Sequence, residues 1–482
     1  MGQNALKRKD FPAILIAYPS CFYYPAWMER VEMKTSQLLV ASYLGQFFPV
    51  EYADFEITIG RANSSVQIRR YERKVREILT DRRFDILALS CWTSLSYQAT
   101  LATARICREL FPDKLIVVGG YHASARPREF VTPDNVIDYV ICGEGELPLK
   151  EIAEGFKVAD RPSETQIIEA PLFPAEEFIR IDWNLVDDFF RAEFPQGLTN
   201  VYLFHSRGCP FGCSFCMEPL KERKWRAFSP EMAVEEMLLV GERFKPMGVA
   251  AADACFGLRS AWRKEFLKRL VEAAPKFWVV IETRPEYLDR EDIELLSHLK
   301  VEVQFGVESC SPEILLLMRK TRQPRKFLDR FLETSHLLSE KGVLHRANLI
   351  FNHPGETRRT LEETFAFIDR ELVYRGTSLM WAAHAYMHFP GCELDVNRQY
   401  YEEKYGTRFL KPEWWKGTDD QYEASMDCDP SGDLQGEDRH LWRKMLEERS
   451  DAMKAALTPL AFRFAAAKYY LEWKSEPSHE KN

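Results

Sequence analysis

The chain has no uninterrupted apolar stretch of the roughly twenty residues that a membrane-spanning helix requires, so an integral membrane protein is not expected. It also has no long basic run. Its 482 residues carry a formal net charge of −8, so the positive footprint of a nucleic-acid-binding protein is absent and no such partner is expected. The polar start, Met1-Gly2-Gln3-Asn4-Ala5-Leu6-Lys7-Arg8-Lys9-Asp10, leads into no signal-peptide core, and Leu6 stands where a myristoylation motif needs Ser or Thr. Histidine is scarce: ten in all, with His122 the only one before His205. Cysteine is less scarce, at eleven, but outside one loop the cysteines lie mostly in apolar segments (Cys91, Cys107, Cys142, Cys255, Cys310) and not in a secreted disulfide framework. A reducing, cytoplasmic setting is expected. Hydrophobic residues at 46% and charged residues at 29% describe an ordinary globular protein, and the length exceeds what one core normally fills.

What is present is one dense loop. Arg207-Gly208-Cys209-Pro210-Phe211-Gly212-Cys213-Ser214-Phe215-Cys216 places Cys209, Cys213 and Cys216 at C-x3-C-x2-C spacing. Three thiolates from one segment can hold three corners of a cubane iron–sulfur cluster. The missing fourth leaves one iron open to a small molecule, as catalytic metal sites keep an open position. Gly208, Pro210 and Gly212 allow close wrapping, while Phe211 and Phe215 can shield the cluster from water. His205, four residues ahead of Cys209, leaves a Cys3His structural zinc site as an alternative, and with it a zinc-stabilised binding protein. Zinc sites usually gather ligand pairs from two loops, and no second cysteine pair follows. The spacing resembles the radical S-adenosylmethionine (SAM) superfamily. That resemblance implies a 4Fe-4S cluster whose open iron chelates SAM, reductive cleavage of SAM to a 5′-deoxyadenosyl radical, and an electron donor such as flavodoxin or ferredoxin.

Ahead of the loop, short apolar runs at 14–18, 50–53, 86–90, 115–119 and 136–142 alternate with helix-period segments near 37–46, 66–80, 97–110 and 147–154. This alternation predicts an α/β unit with a parallel sheet covered on both faces, whose ligand site lies at the carboxyl ends of the strands. Those ends carry Ser90-Cys91-Trp92-Thr93-Ser94, Gly119-Gly120-Tyr121-His122 and Gly143-Glu144-Gly145-Glu146, with Asp54 ending the second strand. Taken singly these are ordinary turns. Together, and ahead of the cysteine loop, they resemble the Rossmann-like cobalamin-binding domain that precedes many radical SAM modules. The resemblance implies corrin contacts from Thr93, Ser94, Gly119, Gly120, Gly143 and Glu144. The D-x-H-x-x-G motif that supplies a cobalt-ligating histidine is absent, and Met33-Lys34-Thr35-Ser36-Gln37 replaces the Pro-x-Gly-Leu that often opens the first helix.

The expected division is residues 1–155 for this domain, 156–196 for an irregular proline-containing linker, 197–391 for a partial (β/α)6 barrel, and 392–482 for a mostly helical extension. Six barrel strands are predicted at 201–204, 248–252, 277–282, 301–305, 344–351 and 379–386, with chemistry at their carboxyl ends. By resemblance to radical SAM barrels, Glu308 contacts the SAM ribose, Asp253 the methionine amino group and Arg346 its carboxylate. Phe215 and Asn348 complete the SAM contacts, and Pro354-Gly355-Glu356-Thr357 forms a turn near adenine. Ion pairing between strands competes as a reading of these charged residues, most of all for Glu282 and Arg284. The extension, rich in Tyr and Trp, either closes the open side of the barrel over the substrate or caps its flank; Cys428 is expected to be a spectator. The function expected is a radical SAM enzyme transferring a carbon group, foremost cobalamin-dependent methylation of an unactivated carbon in a small-molecule or peptide substrate. The enzymatic alternative keeps the cluster with a vestigial cobalamin domain, and transfers a 3-amino-3-carboxypropyl group or performs rearrangement or cyclisation.

Overall fold

A computed structural model describes residues 11–24, 32–157, 161–186, 200–220, 223–372 and 378–464. The apolar runs of the first part, too short for helices, form β1 (Ile14–Tyr18), β2 (Val50–Asp54), β3 (Ile86–Ser90), β4 (Leu115–Gly119) and β5 (Tyr139–Cys142). Every residue of β1 is buried, as befits a strand with helices on both faces. All neighbours are parallel, in the order β2-β1-β3-β4-β5-β6. The strand order reverses between β1 and β3, where open α/β sheets form their ligand crevice. The sixth strand, β6 (Gln166–Glu169), comes from the segment expected to be an irregular linker.

Period-two alternation sends Ile14, Ile16, Ile86, Ala88 and Val117 to one face, under helices Thr35–Leu44 and Glu146–Glu154. Leu15, Ala17, Leu87, Leu89 and Val118 face the other way, under helices Ser65–Thr80 and Tyr97–Leu110. The first face continues without a break into the core of the second sheet through Phe173, Phe178 and Trp183, so this described part of the linker is packed too. Trp183 donates its indole N–H to Glu236 Oε1 at 2.7 Å.

The second sheet contains β7 (Asn200–Leu203), β10 (Gly248–Ala251), β11 (Trp278–Thr283), β12 (Val301–Glu308), β13 (Leu344–Phe351) and β14 (Leu379–Ala385). They lie side by side in sequence order, all parallel, with β7 and β14 at the two edges: an open six-stranded barrel. Between β7 and β10, the two-residue strands β8 (Ser206–Arg207) and β9 (Arg226–Ala227) pair antiparallel and bracket the cysteine loop. The extension is mostly helical, as expected. Short helices alternate with a small hairpin of β15 (Arg408–Phe409) and β16 (Cys428–Asp429), followed by helices Leu441–Glu447 and Ser450–Arg463. The end of the helical segment expected to reach Trp473 lies outside the described residues.

Candidate functional site

The cysteine loop leaves β8 through Gly208, whose φ of +84° favours glycine, and is pinned to the barrel at its centre. Ser214 N–H donates to Met318 O at 2.9 Å, its hydroxyl to Leu317 O at 3.1 Å, and Leu394 N–H donates to Ser214 O at 3.1 Å. Phe211 is held by the Arg284 guanidinium, 4.2 Å from its ring centre. Burial pushes the Cys209 and Cys216 thiols up, and mutual repulsion with Cys213 adds to this. Without a metal these thiols stay protonated; a bound metal centre would supply the positive charge that turns them into thiolate ligands. Zinc would need its donors about 2.0–2.3 Å from one point, and among the described residues no three Cys, His, Asp or Glu side chains converge in that way. His205 turns away: its ring packs 5.6 Å from Phe266, and burial pushes its pKa down to about 3. The Cys3His alternative therefore fails on the placement of His205, whereas the C-x3-C-x2-C spacing of the loop suits a cubane.

A cavity of about 1070 Å³ joins the two sheets. Its walls include Thr93, Gly119, Gly120, Gly143 and Glu144 from the first sheet, Gly208, Phe215 and Cys216 from the loop, and Glu282, Glu308, Asn348 and Ile350 from the barrel. Cys213, Pro210 and Phe211 are not among the lining residues, so the loop has one face on the cavity and another outside it. On the first sheet, Gly119 is open to the cavity: a Cβ there would meet nothing closer than Ile141 O at 3.8 Å. Gly120 differs. Its φ is +108°, and a Cβ would sit 2.5 Å from Cys91 O, so the turn itself requires glycine. Ser94 does not line the cavity; it is buried, with its hydroxyl 2.8 Å from His122 Nδ1. His122 Nε2 lies 3.3 Å from Glu129, so both ring nitrogens are engaged and this histidine cannot reach a ligand in the cavity. Asp54 instead caps the helix that follows it, accepting from Ile57 N–H at 3.1 Å.

In the barrel, Glu308 lines the cavity in a left-handed backbone conformation (φ +70°) at an irregularity in the β12–β13 register. Lys320 donates to its Oε1 at 2.9 Å, and Gly306 leaves the room: a Cβ there would lie 2.5 Å from that oxygen. Asn348 presents a carbonyl oxygen that has no partner among the described residues. Two expected SAM contacts are corrected by their placement. Asp253 accepts the Ser206 N–H and lies 3.8 Å from His205 Nδ1 beneath the cavity floor, which Ala252 and Ala254 supply; burial pushes its pKa up to about 7. Arg346 lies one pleat below Asn348, does not line the cavity, and pairs with Glu302 at 3.4 Å. Glu282 does reach the cavity, where its side chain is exposed; desolvation within the cavity and the neighbouring charge of Glu308 raise its pKa. In the expected adenine turn, Glu356 is buried and folds back onto Asn352 N–H at 2.6 Å.

Glu144 binds across the domains. Arg226 grips its two oxygens at 2.9 and 3.0 Å, Phe173 N–H donates at 2.8 Å, and Arg207 adds a contact at 3.3 Å while pairing with Glu146 at 2.7 Å. Its carboxylate holds this joint while standing in the cavity wall. The extension closes the cavity with Tyr422, Met426, Trp442 and Arg443, which sequence reasoning did not single out. Cys428 packs under Tyr386, away from the cavity.

An open (β/α)6 barrel with a three-cysteine loop, preceded by a parallel α/β sheet sharing its cavity, defines a class of cofactor-dependent protein. Residues 203–368 match the radical SAM superfamily, and residues 38–153 match the B12 binding domain. The chain thus carries a radical SAM domain with a B12 binding domain ahead of it, which implies a 4Fe-4S cluster, SAM and cobalamin as cofactors. It is 27% identical over 307 residues to an uncharacterised methyltransferase of Pyrococcus horikoshii, covering 59% of this chain and 63% of that protein. It is 25% identical over 313 residues to the anaerobic magnesium-protoporphyrin IX monomethyl ester cyclase of Rubrivivax gelatinosus, covering 61% and 56%. The matches thus span less than two thirds of either relative. In fold, it resembles the radical SAM methyltransferase TsrM of Kitasatospora setae, solved with cobalamin and a [4Fe-4S] cluster bound. The TM-score is 0.59 at 18% identity, covering 81% of this chain and 78% of that one.

Proposed function

We propose that the protein is a cobalamin-dependent radical SAM methyltransferase acting on an unactivated carbon of a small-molecule or peptide substrate. The observation that carries this reading is the shared cavity: Gly119 and Thr93 of the first sheet, Cys216 of the loop, and Glu308 and Asn348 of the barrel face one space. The chemistry supplied by the bound cofactors is hydrogen abstraction from carbon and methyl donation. The chain's own residues position and exclude. Cys209, Cys213 and Cys216 hold the cluster, with Cys216 at the cavity wall. Glu308, kept in place by Lys320, and Asn348 offer acceptors for the SAM hydroxyls and amino group, and Phe215 packs beside them. Gly119, Thr93 and Gly143 admit a broad corrin at the strand ends, and Ile16, Leu39, Val117 and Ile141 keep that wall dry. His122, committed to Ser94 and Glu129, leaves a bound cobalt without histidine ligation from this domain. The eleven free cysteines and an oxygen-sensitive cluster suit a reducing cytoplasm.

Gly119→Phe tests the reading, because the site accepts a side chain and directs it into the cavity, whereas Gly120 would break its own turn. Anaerobically reconstituted variant protein is expected to lose cobalt and methyl transfer but keep its iron and its cleavage of SAM to 5′-deoxyadenosine. Cobalt content equal to the parent's refutes the corrin placement. The cyclase relative favours a second reading, ring closure without cobalamin; substrate turnover by a cobalt-free Gly119→Phe variant would select it.

A further inference from the structure

The outer face of the cysteine loop is basic, although the protein as a whole is acidic. The segment Arg319-Lys320-Thr321-Arg322-Gln323-Pro324-Arg325-Lys326 holds five cations and no acid, and it follows directly on Leu317 and Met318, whose carbonyls pin Ser214 between two of the cysteines. Arg284 ties the two together: it stacks on Phe211 at 4.2 Å, donates to Lys320 O at 2.7 Å, and lies 5.6 Å from the ring of Phe327, next to Lys326. Lys320 is buried against Glu308 and Arg319 is paired with Glu393. Arg322, Arg325 and Lys326 are exposed and have no acidic partner among the described residues. From the other side Arg223, also exposed, has its guanidinium 3.9 Å from where a Cβ on Gly212 would lie. Between these cations the loop shows exposed Pro210 and half-buried Phe211 and Cys213, the stretch that faces away from the cavity.

We propose that this face docks the acidic one-electron carrier protein that reduces the cluster. A small apolar centre beside the partly exposed cluster ligand Cys213, flanked by exposed cations, complements a carrier whose redox group is surrounded by carboxylates. In the complex the carrier is oxidised by one electron and the cluster reduced by one, with no bond formed or broken. Unpaired surface cations act mainly on the encounter rate, which steering can raise by roughly 10–10³-fold and which salt suppresses. The inference rests on the radical SAM reading of the cysteine loop.

The test compares the reconstituted parent with a triple variant, Arg322→Glu, Arg325→Glu and Lys326→Glu. A control reverses the same charge far away on the outer face of the first sheet, at Arg69→Glu, Arg70→Glu and Arg73→Glu. Cluster reduction by chemically reduced flavodoxin is followed by stopped flow, and binding of oxidised flavodoxin by calorimetry. The triple variant is expected to be reduced about tenfold more slowly at low salt and to bind flavodoxin more weakly, the deficit shrinking as salt rises; the control matches the parent. Equal rates and affinities in parent and triple variant, or an equal loss in the control, overturn the proposal. So does a parent that binds an RNA oligonucleotide through these residues while its flavodoxin rate is indifferent to their reversal. Dithionite separates this from the underlying reading: SAM cleavage driven by dithionite in all three proteins keeps the enzyme assignment whatever flavodoxin does. Its absence in the parent removes that assignment and the docking site with it.

Discussion

Glu144→Gln removes one of the two carboxylates, with Glu146, that join the B12 binding domain to the segment carrying the cysteine loop. The carboxylate is 11% exposed and faces Arg226, 6% exposed, in a two-pronged contact, with Arg207 and Phe173 N–H completing its shell. Gln keeps the shape but only one acceptor oxygen, and it leaves two guanidiniums facing a neutral group. Breaking one partner of a buried pair costs about 3–5 kcal/mol, and the retained acceptor points to the lower end. For a unit of 150–250 residues each kcal/mol moves the midpoint by about 2–4 °C, so the N-terminal transition should fall by roughly 6–12 °C. Anaerobic scanning calorimetry at pH 7 reads this directly. The pH dependence has a definite sign. Burial alone would raise the Glu144 pKa, but the hydrogen bonds from Arg226 and the charge of Arg207 outweigh it and lower the value. A carboxyl lowered on folding stabilises above its unfolded pKa, about 4.3, and that contribution drains away as pH falls through the folded value. The gap between parent and variant should therefore be full at pH 7 and close in acid. A midpoint unchanged at pH 7, or a gap that widens in acid, refutes the joint.

Two further outcomes are expected. Glu308→Gln should weaken SAM binding to the cluster-loaded protein by on the order of ten- to a hundredfold, the loss of one charge-assisted hydrogen bond; an unchanged dissociation constant by calorimetry would mean that Glu308 serves only to hold Lys320. Asp253→Asn should leave SAM affinity unchanged, because the side chain lies beneath the floor, and a tenfold loss would restore it as a SAM contact. Its folded pKa is raised to about 7 by burial, so the stability it adds below its unfolded pKa is lost as pH climbs towards 7. The Asn variant should accordingly melt higher than the parent at pH 8, with less advantage at pH 5.

The strands were legible because burial on both faces leaves an uninterrupted apolar run; Ile14–Tyr18 and Leu344–Phe351 are read to the residue. The cysteine loop was legible because its ligands are local. The charged residues were not, since their partners are set by register. Arg346 was read as a carboxylate clamp from its place in the order of strands, but period-two alternation puts it one pleat below Asn348, opposite Gln304 and diagonal to Glu302, with which it pairs. Asp253 sits between two cavity-facing alanines, Ala252 and Ala254, and so points the other way. Glu144 looked like a strand-end ligand until Arg226, 82 residues later, was brought onto it. The extension misled in a different manner: its tryptophans signalled burial but not where, and Trp414 and Trp415 fill the core of the first domain, not the barrel flank.

These placements explain how two domains with different cofactors can keep one working distance. Arg207 belongs to β8, which launches the cysteine loop two residues later, and it grips Glu144 and Glu146 at the end of β5. Any rotation of the first sheet against the barrel therefore pulls on the segment that carries Cys209. On the opposite side, Gln98 of the first domain donates to Trp415 O and Gly417 O at 3.0 and 2.6 Å, and Trp414 donates its indole N–H to His388 O at 2.8 Å. The two domains are thus joined directly, through Arg207 and Arg226 on Glu144 and Glu146, and indirectly, through the extension that bonds to both. Buried ion pairs and indole hydrogen bonds have directional geometry that apolar packing lacks. Apolar contact alone would let the sheets slide by fractions of a side chain, whereas these contacts permit one register, and with it one separation between the strand ends at Gly119 and the cluster ligand Cys216.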